Sequence, residues 1–336
     1  MEISVICPVF NTAPALLLAA AGSALAQPHG HALELIIVDD CSSAPETLSA
    51  LHDLKASHKN IRVVRASANR GPSRARAIGI AAATHDWIGF IDADDLWPEG
   101  KLDQAGSVLR QNPHASWITG SYSTLDRDGR LCPAAPLISA QAGISKGEGV
   151  HRLEGLALTR MLAKSWLPLG SALVRRALIA EAGGFDPNLT YGEDWLLNLR
   201  LSTIAPMHHL NESTYVLRRQ GPSMMRSEGR LTSKWEKSVR LARRDPRMRG
   251  VCRELRWAHY AIAKDIAMNN ALNGHRLRGL GFALRALAQD PREIADFLRY
   301  ATALNLTGPR LAAALASYSS GEQVHLASLS VLRDAS

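Results

Sequence analysis

Four short apolar runs alternate with helix-like stretches over the first hundred residues, and this alternation restricts the fold more than any other feature of the chain. ISVICPVF, LELIIVDD, IRVVRAS and DWIGFIDAD are apolar and rich in β-branched residues. Between them stand APALLLAAAGSALAQ, PETLSALHDLKAS and GPSRARAIGIAAAT, which suit helices, the last with Pro72 near its first turn. Strands buried on both faces, each followed by a helix, predict a mostly parallel sheet flanked by helices, an α/β fold.

The polar residues gather where these strands end: Asn11, Asp39 and Asp40, Asn69, then Asp92, Asp94 and Asp95. Open α/β sheets bind ligands beyond the carboxyl ends of their strands, so one crevice is expected to collect these groups. In FIDADDLW three carboxylates crowd together, and each raises the cost of ionising its neighbours. Read as a continuation of the fourth strand, Asp92 and Asp94 point to the same side. A hard divalent cation, Mg²⁺ or Mn²⁺, removes the like-charge penalty, with substrate phosphates completing its shell. The bland alternative is a solvated acidic turn capping the next helix, and Asp95 in particular stays open between that cap and the cluster.

Further along, a helix is expected from Leu102 to Asn112, a strand in ASWITGSYSTLD, and an exposed loop in the Pro/Gly-rich CPAAPLISAQAGISKGEG. LPLGSALVRRALIAEAGGF reads as strand then helix, and EDWLLNLRLST as a helix whose two leading acids suit a helix N-terminus. After about Arg230 the text turns rich in Ala, Leu and Arg, punctuated by Gly274, Pro291 and Pro309. The expected division is residues 1–229, with a nucleotide-binding half at 1–100 and an acceptor half at 101–229, followed by a helical subdomain at 230–336.

Five motifs stand in register: PVFN, VDDCS, NRGPSRARAIG, FIDADDLW and GGFDPNLTYGEDWLLNLRL. Together they resemble the family-two glycosyltransferases of the GT-A (Rossmann-like) fold over roughly residues 1–225. The resemblance implies an inverting transfer from a nucleotide-diphosphate sugar, UDP-linked, to a saccharide or lipid-linked saccharide acceptor in surface polysaccharide assembly. It places Pro8, Phe10 and Asn11 along the nucleotide and Asp40 at the base, where a carboxylate accepts the uracil imide N–H. It sets Asn69 and Arg76 on the nucleotide side, Asp92 at the ribose or donor sugar, and Asp94 on a Mn²⁺ or Mg²⁺ ion at the diphosphate. GED supplies the general base, Asp194, with Glu193 positioning it or binding acceptor hydroxyls. LRRQGPSMMRS matches an Arg-rich element that closes over the diphosphate, through Arg218 or Arg219. The chain departs from the family pattern at Phe10, Cys41, Ala77 and Gln220, none of which removes a group the reaction requires.

The net charge of +8 is localised. Between Tyr215 and Trp257 there are 13 Lys/Arg against 4 Asp/Glu, and the remainder is close to neutral. Within that segment, Arg226 to Arg256 is expected to touch an anionic membrane surface beside the acceptor site. Aromatic residues at 5% and the lack of a recognition motif argue against nucleic acid as its partner. A dinucleotide-dependent oxidoreductase would need a glycine-rich turn where PVFNTAPA stands. A catalytically silent scaffold is the remaining rival, opposed by Asp40, Asp94 and Asp194 being present together. Cys7, Cys41, Cys132 and Cys252 form no close pair, so neither a zinc site nor a disulfide framework is suggested and a reducing, cytoplasmic setting fits. APALLLAAAGSALAQ imitates a leader sequence, but Glu2 has the wrong sign and a strand pattern precedes it.

Overall fold

The computed structural model describes residues 1–27, 30–133, 149–218 and 230–261, with side chains from 235 onward in the last stretch. The chain divides into two units, Met1–His259 and Tyr260–Ser336. All but the first residues of the second unit lie outside the described residues, as do the loop expected around Pro133 to Gly149, apart from its ends, and Arg219.

The expected alternation is present. β1 (Glu2–Val9), β2 (Ala32–Asp39), β3 (Ile61–Arg65) and β4 (Trp87–Phe90) are joined by α1 (Pro14–Leu25), α2 (Pro45–Ser57) and α3 (Pro72–Ala82). Each helix has proline in its first turn, where the missing N–H costs nothing. The leader-like stretch is α1, which buries Leu17, Ala20, Ala21 and Ala24. α3 lies close to the sheet at Gly79, where a Cβ would come within 2.4 Å of Ile6.

The sheet order is β3-β2-β1-β4-β8-β5-β9-β7, with β6 (Leu131–Pro133) paired to β5 (Trp117–Leu125). β1 to β4 are mutually parallel. β8 (Leu173–Arg175) runs antiparallel to both β4 and β5. β9 (Met207–Arg218) is parallel to β5, and β7 (Val150–Leu153) is antiparallel to β9. Parallel pairing therefore runs unbroken through the first half of the sheet, the three-residue β8 interrupts it, and it returns between β5 and β9. β2 and β3 lie on one side of β1 and β4 on the other. That reversal of strand order opens a crevice beyond the carboxyl ends of β1 and β4.

Over the second half, α4 (Lys101–Gln111), α5 (Gly155–Lys164), α6 (Arg176–Glu181) and α7 (Glu193–Ser202) complete the layers. α7 is buried over most of its length, from Trp195 to Leu199 and again at Leu201 and Ser202. α8 (Arg230–Arg244) packs on α7 and belongs to the first unit. No helix among the described residues is long and apolar enough to cross a membrane.

Candidate active site

The loops after β1, β2 and β3 are bound to one another through short polar side chains. Asn11 takes a left-handed backbone, φ 48°, which Asn tolerates better than most residues. Its Oδ1 accepts from the amides of Ser43 and Ala44 at 2.8 and 2.9 Å, and its own amide donates to Ser42 Oγ at 3.0 Å. The adjacent aspartates divide the work. Asp39 accepts from the Ser42 amide at 2.8 Å and pairs with Arg65. Asp40, 4% exposed, accepts from the amides of Arg70 at 3.0 Å and Gly71 at 2.7 Å. Phe10, by contrast, is 48% exposed at the rim, Asn69 is exposed, and Pro8 is half-buried at the end of β1.

The aspartate cluster departs from the expected geometry. β4 stops at Phe90, and Asp92 to Asp95 form a turn closed by the Asp95 amide donating to the Asp92 carbonyl at 3.0 Å. Strand alternation therefore does not align Asp92 with Asp94. Asp92 instead accepts from Arg76 Nη2 at 2.6 Å, while Asp94 is exposed. Asp95 is not a helix cap either: α4 begins at Lys101 after Gly100. Its buried carboxylate accepts from Tyr215 Oη at 2.8 Å and from the Arg218 amide at 2.8 Å. Tyr215 in turn accepts from the Asp92 amide at 3.2 Å, and Leu96 exchanges two backbone bonds with Val216. β9 thus pulls the turn out of strand geometry. Arg218 spans the same place, donating to the Asp94 carbonyl at 2.5 Å and the Leu16 carbonyl at 2.8 Å.

Arg76 joins this turn to the start of α7. Its buried guanidinium donates to Asp92 with one nitrogen and to Glu193 with another. Burial alone would lower the pKa of Arg76, but the charges of Asp92, Glu193 and Asp194 more than reverse that, so it stays ionised. Glu193, 6% exposed, is consumed by this pair and serves to position rather than to face solvent. Asp194 beside it is half-buried. Its Oδ2 accepts from Trp166 Nε1 at 2.8 Å and its Oδ1 from the Trp195 amide at 2.7 Å. Burial, then the charge of Glu193, push its pKa up to about 7, a value suited to a base near neutrality.

The turn before α7 requires glycine. Gly192 has φ 70°, and a Cβ there would come within 2.4 Å of the Trp235 ring. Trp235 packs edge-on to Tyr191 with ring centroids 5.6 Å apart and lies 5.3 Å from Trp195, while Ser238 Oγ donates to the Tyr191 carbonyl at 2.7 Å.

Among the described residues, carboxylates outnumber guanidiniums in this crevice: Asp92, Asp94, Asp95, Glu193 and Asp194 face Arg76 and Arg218. Desolvation by the surrounding protein, then the charge of Asp92, hold Asp94 above the ordinary carboxylate range although its side chain opens to solvent. Asp95 is raised further, first by burial and then by Asp94 and Asp92. An exposed carboxylate under such like-charge pressure fits a divalent cation. The described residues hold no cluster of three or more His, Cys, Asp or Glu suited to a metal, and a hard divalent ion at Asp94 would need further oxygen ligands.

The structure brings Arg76, Asp92, Asp94, Glu193, Asp194 and Arg218 to one crevice, with Asn11 and Asp40 in the loops on its β1–β2 side. Tyr215, Trp166 and Trp235 were not visible as site residues in the sequence, since no local pattern marks them.

Residues 4–133 match the model of "Glycosyl transferase family 2". A Haemophilus influenzae protein described as an uncharacterized glycosyltransferase is 32% identical over 127 residues, covering 38% of this chain and 49% of that protein. The succinoglycan biosynthesis protein ExoU of Rhizobium meliloti is 29% identical over 207 residues, 59% of this chain and 56% of ExoU. The chain therefore spans about half the length of these two relatives. Among solved structures, residues 1–349 of S. aureus TarS in complex with UDP-GlcNAc superpose with a TM-score of 0.63 at 19% identity, covering 97% of this chain and 93% of that one. That likeness is one of fold, and it is the GT-A architecture expected from the motifs.

Proposed function

We propose that this chain, whose residues 4–133 belong to glycosyl transferase family 2, moves a sugar from a nucleotide-diphosphate donor to an acceptor hydroxyl, with inversion at the anomeric carbon. The observation that carries this reading is the Arg76 bridge, which sets the carboxylate turn after β4 and the start of α7 around one guanidinium. A donor diphosphate at the first and a base at the second is the arrangement a single displacement needs. Asp194 takes the acceptor proton as the acceptor oxygen attacks the anomeric carbon. The bond from that carbon to the diphosphate oxygen breaks, and its electron pair leaves with the nucleotide. Arg218, beside Asp94, is placed to neutralise the departing charge.

Mn²⁺ or Mg²⁺ held by Asp94 would supply further charge stabilisation for the leaving diphosphate. UDP as the nucleotide is supported by the UDP-GlcNAc complex of TarS, and a saccharide acceptor in surface polysaccharide assembly by ExoU. Peripheral membrane contact rests on the basic segment. Arg240, Arg244, Arg249 and Arg253 are exposed, while Asp245 is taken up by Arg200 and Arg247, and Glu254 by Arg160.

The direct test is nucleotide release from a panel of nucleotide sugars, with and without Mn²⁺. Release from a UDP-sugar that needs the metal is expected. Failure with every donor, by a folded protein, would remove the reading.

A further inference from the structure

Among the described residues, one side chain from outside its own helix holds the carboxylate of Asp194. Trp166 lies between α5 and the 3₁₀ turn Leu169–Ser171, and its Nε1–H donates to Asp194 Oδ2 at 2.8 Å. The indole is itself fixed: Tyr122 on β5 meets it edge-on with ring centroids 6.0 Å apart. Tyr122 stands opposite Tyr215 in the β5–β9 register, so the same strand pair supports both this contact and the Asp95 anchor.

Resting on the reading of Asp194 as the base, we propose that Trp166 is its positioning residue, orienting the carboxylate through Oδ2 and favouring the ionised form that can take a proton. The chemistry of indole makes it suited to this. Nε1–H only donates, so it cannot compete for the acceptor's proton or supply one in its place. With Trp166 on Oδ2 and the Trp195 amide on Oδ1, both oxygens accept an N–H, and adding a proton to either weakens one of those bonds. One lone pair on each oxygen remains for an acceptor hydroxyl. The other groups facing Asp194 do different work. Glu193 on α7 opposes its ionisation, Arg76 on α3 favours it, and Tyr191, pushed up to about 12, stays neutral over the working range. Arg76 already shares its guanidinium with Asp92 and Glu193, so among the described residues the Trp166 bond is the directional contact left to Asp194 from another element.

The experiment uses the full chain. In protein carrying ¹⁵N-labelled tryptophan, the indole N–H signals are followed between about pH 5 and 9, with Trp166 assigned through Trp166→Phe. The Trp166 signal should titrate with a midpoint near 7 and stop titrating in Asp194→Asn. If Trp166→Phe does not fold, the wild type and Asp194→Asn still decide, because one signal must lose its titration between them. A set of indole signals unchanged by Asp194→Asn over this range would overturn the proposal. The second arm is UDP release from a panel of UDP-sugars with Mn²⁺. Trp166→Phe keeps a ring but loses the donor. It should lose about tenfold to a hundredfold in turnover, the scale of one hydrogen bond to a charged group, with the acidic limb of its pH profile moved up by about one pH unit. Donor affinity should stay as in the wild type. An inactive Asp194→Asn beside a Trp166→Phe of wild-type turnover and pH profile would defeat the positioning role and leave the base intact. A fully active Asp194→Asn would defeat the reading of the base instead, and with it the role of Trp166.

Discussion

The two walls of the crevice are made in different ways. On the β1–β2 side, short polar side chains bind backbone amides a loop away: Asn11 to Ser43 and Ala44, Asp39 to Ser42, Asp40 to Arg70 and Gly71. On the α7 side, large rings do the holding: Trp166, Tyr191, Trp195 and Trp235 surround a turn whose tightest point is a glycine. The first construction fixes backbone, which in the proposed reaction would hold the nucleotide. The second fixes one carboxylate and the turn before it through ring packing and an indole N–H. Arg76 joins the α7 wall to the carboxylate turn after β4.

Substitutions at either wall should therefore fail differently. Asp94→Asn is expected to be the most damaging, abolishing turnover and metal-dependent donor binding while leaving the fold intact; titration calorimetry of UDP with Mn²⁺ checks it, and wild-type affinity would refute the role. Asp194→Asn should lower kcat by about 10²–10⁴-fold with donor binding nearly unchanged, the usual contribution of a general base. Arg76→Met attacks the joint itself. It leaves Glu193 buried without its partner and should cost about 3–5 kcal/mol in urea unfolding, as for other broken buried ion pairs. Tyr215→Phe removes one of two bonds to the buried Asp95 and should cost about 1–3 kcal/mol in the same measurement, with no selective effect on α7.

Acid sharpens the contrast. As the proposed base, Asp194 would have to be ionised, so kcat is expected to fall as pH drops through about 7. Its effect on stability runs the other way. A carboxyl raised in the folded state stabilises most when protonated, below its unfolded value of 3.8, and that contribution is lost as pH rises through about 7. Asp245, lowered mainly by its hydrogen bond to Arg247, contributes above the ordinary carboxylate value and loses that contribution as pH falls. Activity and urea midpoints measured across pH 4 to 8 will show whether the two trends separate. The smallest effect should lie outside both walls. Replacing Arg240, Arg244, Arg249 and Arg253 with Glu should weaken low-salt sedimentation with anionic liposomes, by about 1 kcal/mol per cation, and leave nucleotide release unchanged.

What could be read from the sequence follows the same division. The four parallel strands, their helices and the polar residues at their tips are written in contiguous patterns, and the structure has them where those patterns put them. The strand reading of Asp92 and Asp94 failed because a partner 120 residues beyond Asp95, Tyr215, draws the chain into a turn. Asp95 stays open between cap and cluster in the sequence for the same reason, since nothing nearby reveals that β9 needs it. The ring-built wall was illegible. Trp166 lies 28 residues before Asp194 and Trp235 well after it, and a lone tryptophan in an apolar stretch is ordinarily core. Nothing in GED reveals what fills the space beside its glycine.

That space ties two distant positions into one heritable choice. A chain carrying Trp235 cannot accept a side chain at 192 without moving the ring, and a left-handed backbone at 192 resists one in any case. Shrinking residue 235 first would open room, but it would also loosen Tyr191 and Trp195, the residues on either side of the Gly192–Asp194 turn. Leaving the pairing one position at a time would disturb the turn that carries Asp194. Drift at 192 and 235 should therefore be slow and joint, whatever happens to the charged face of α8 around them.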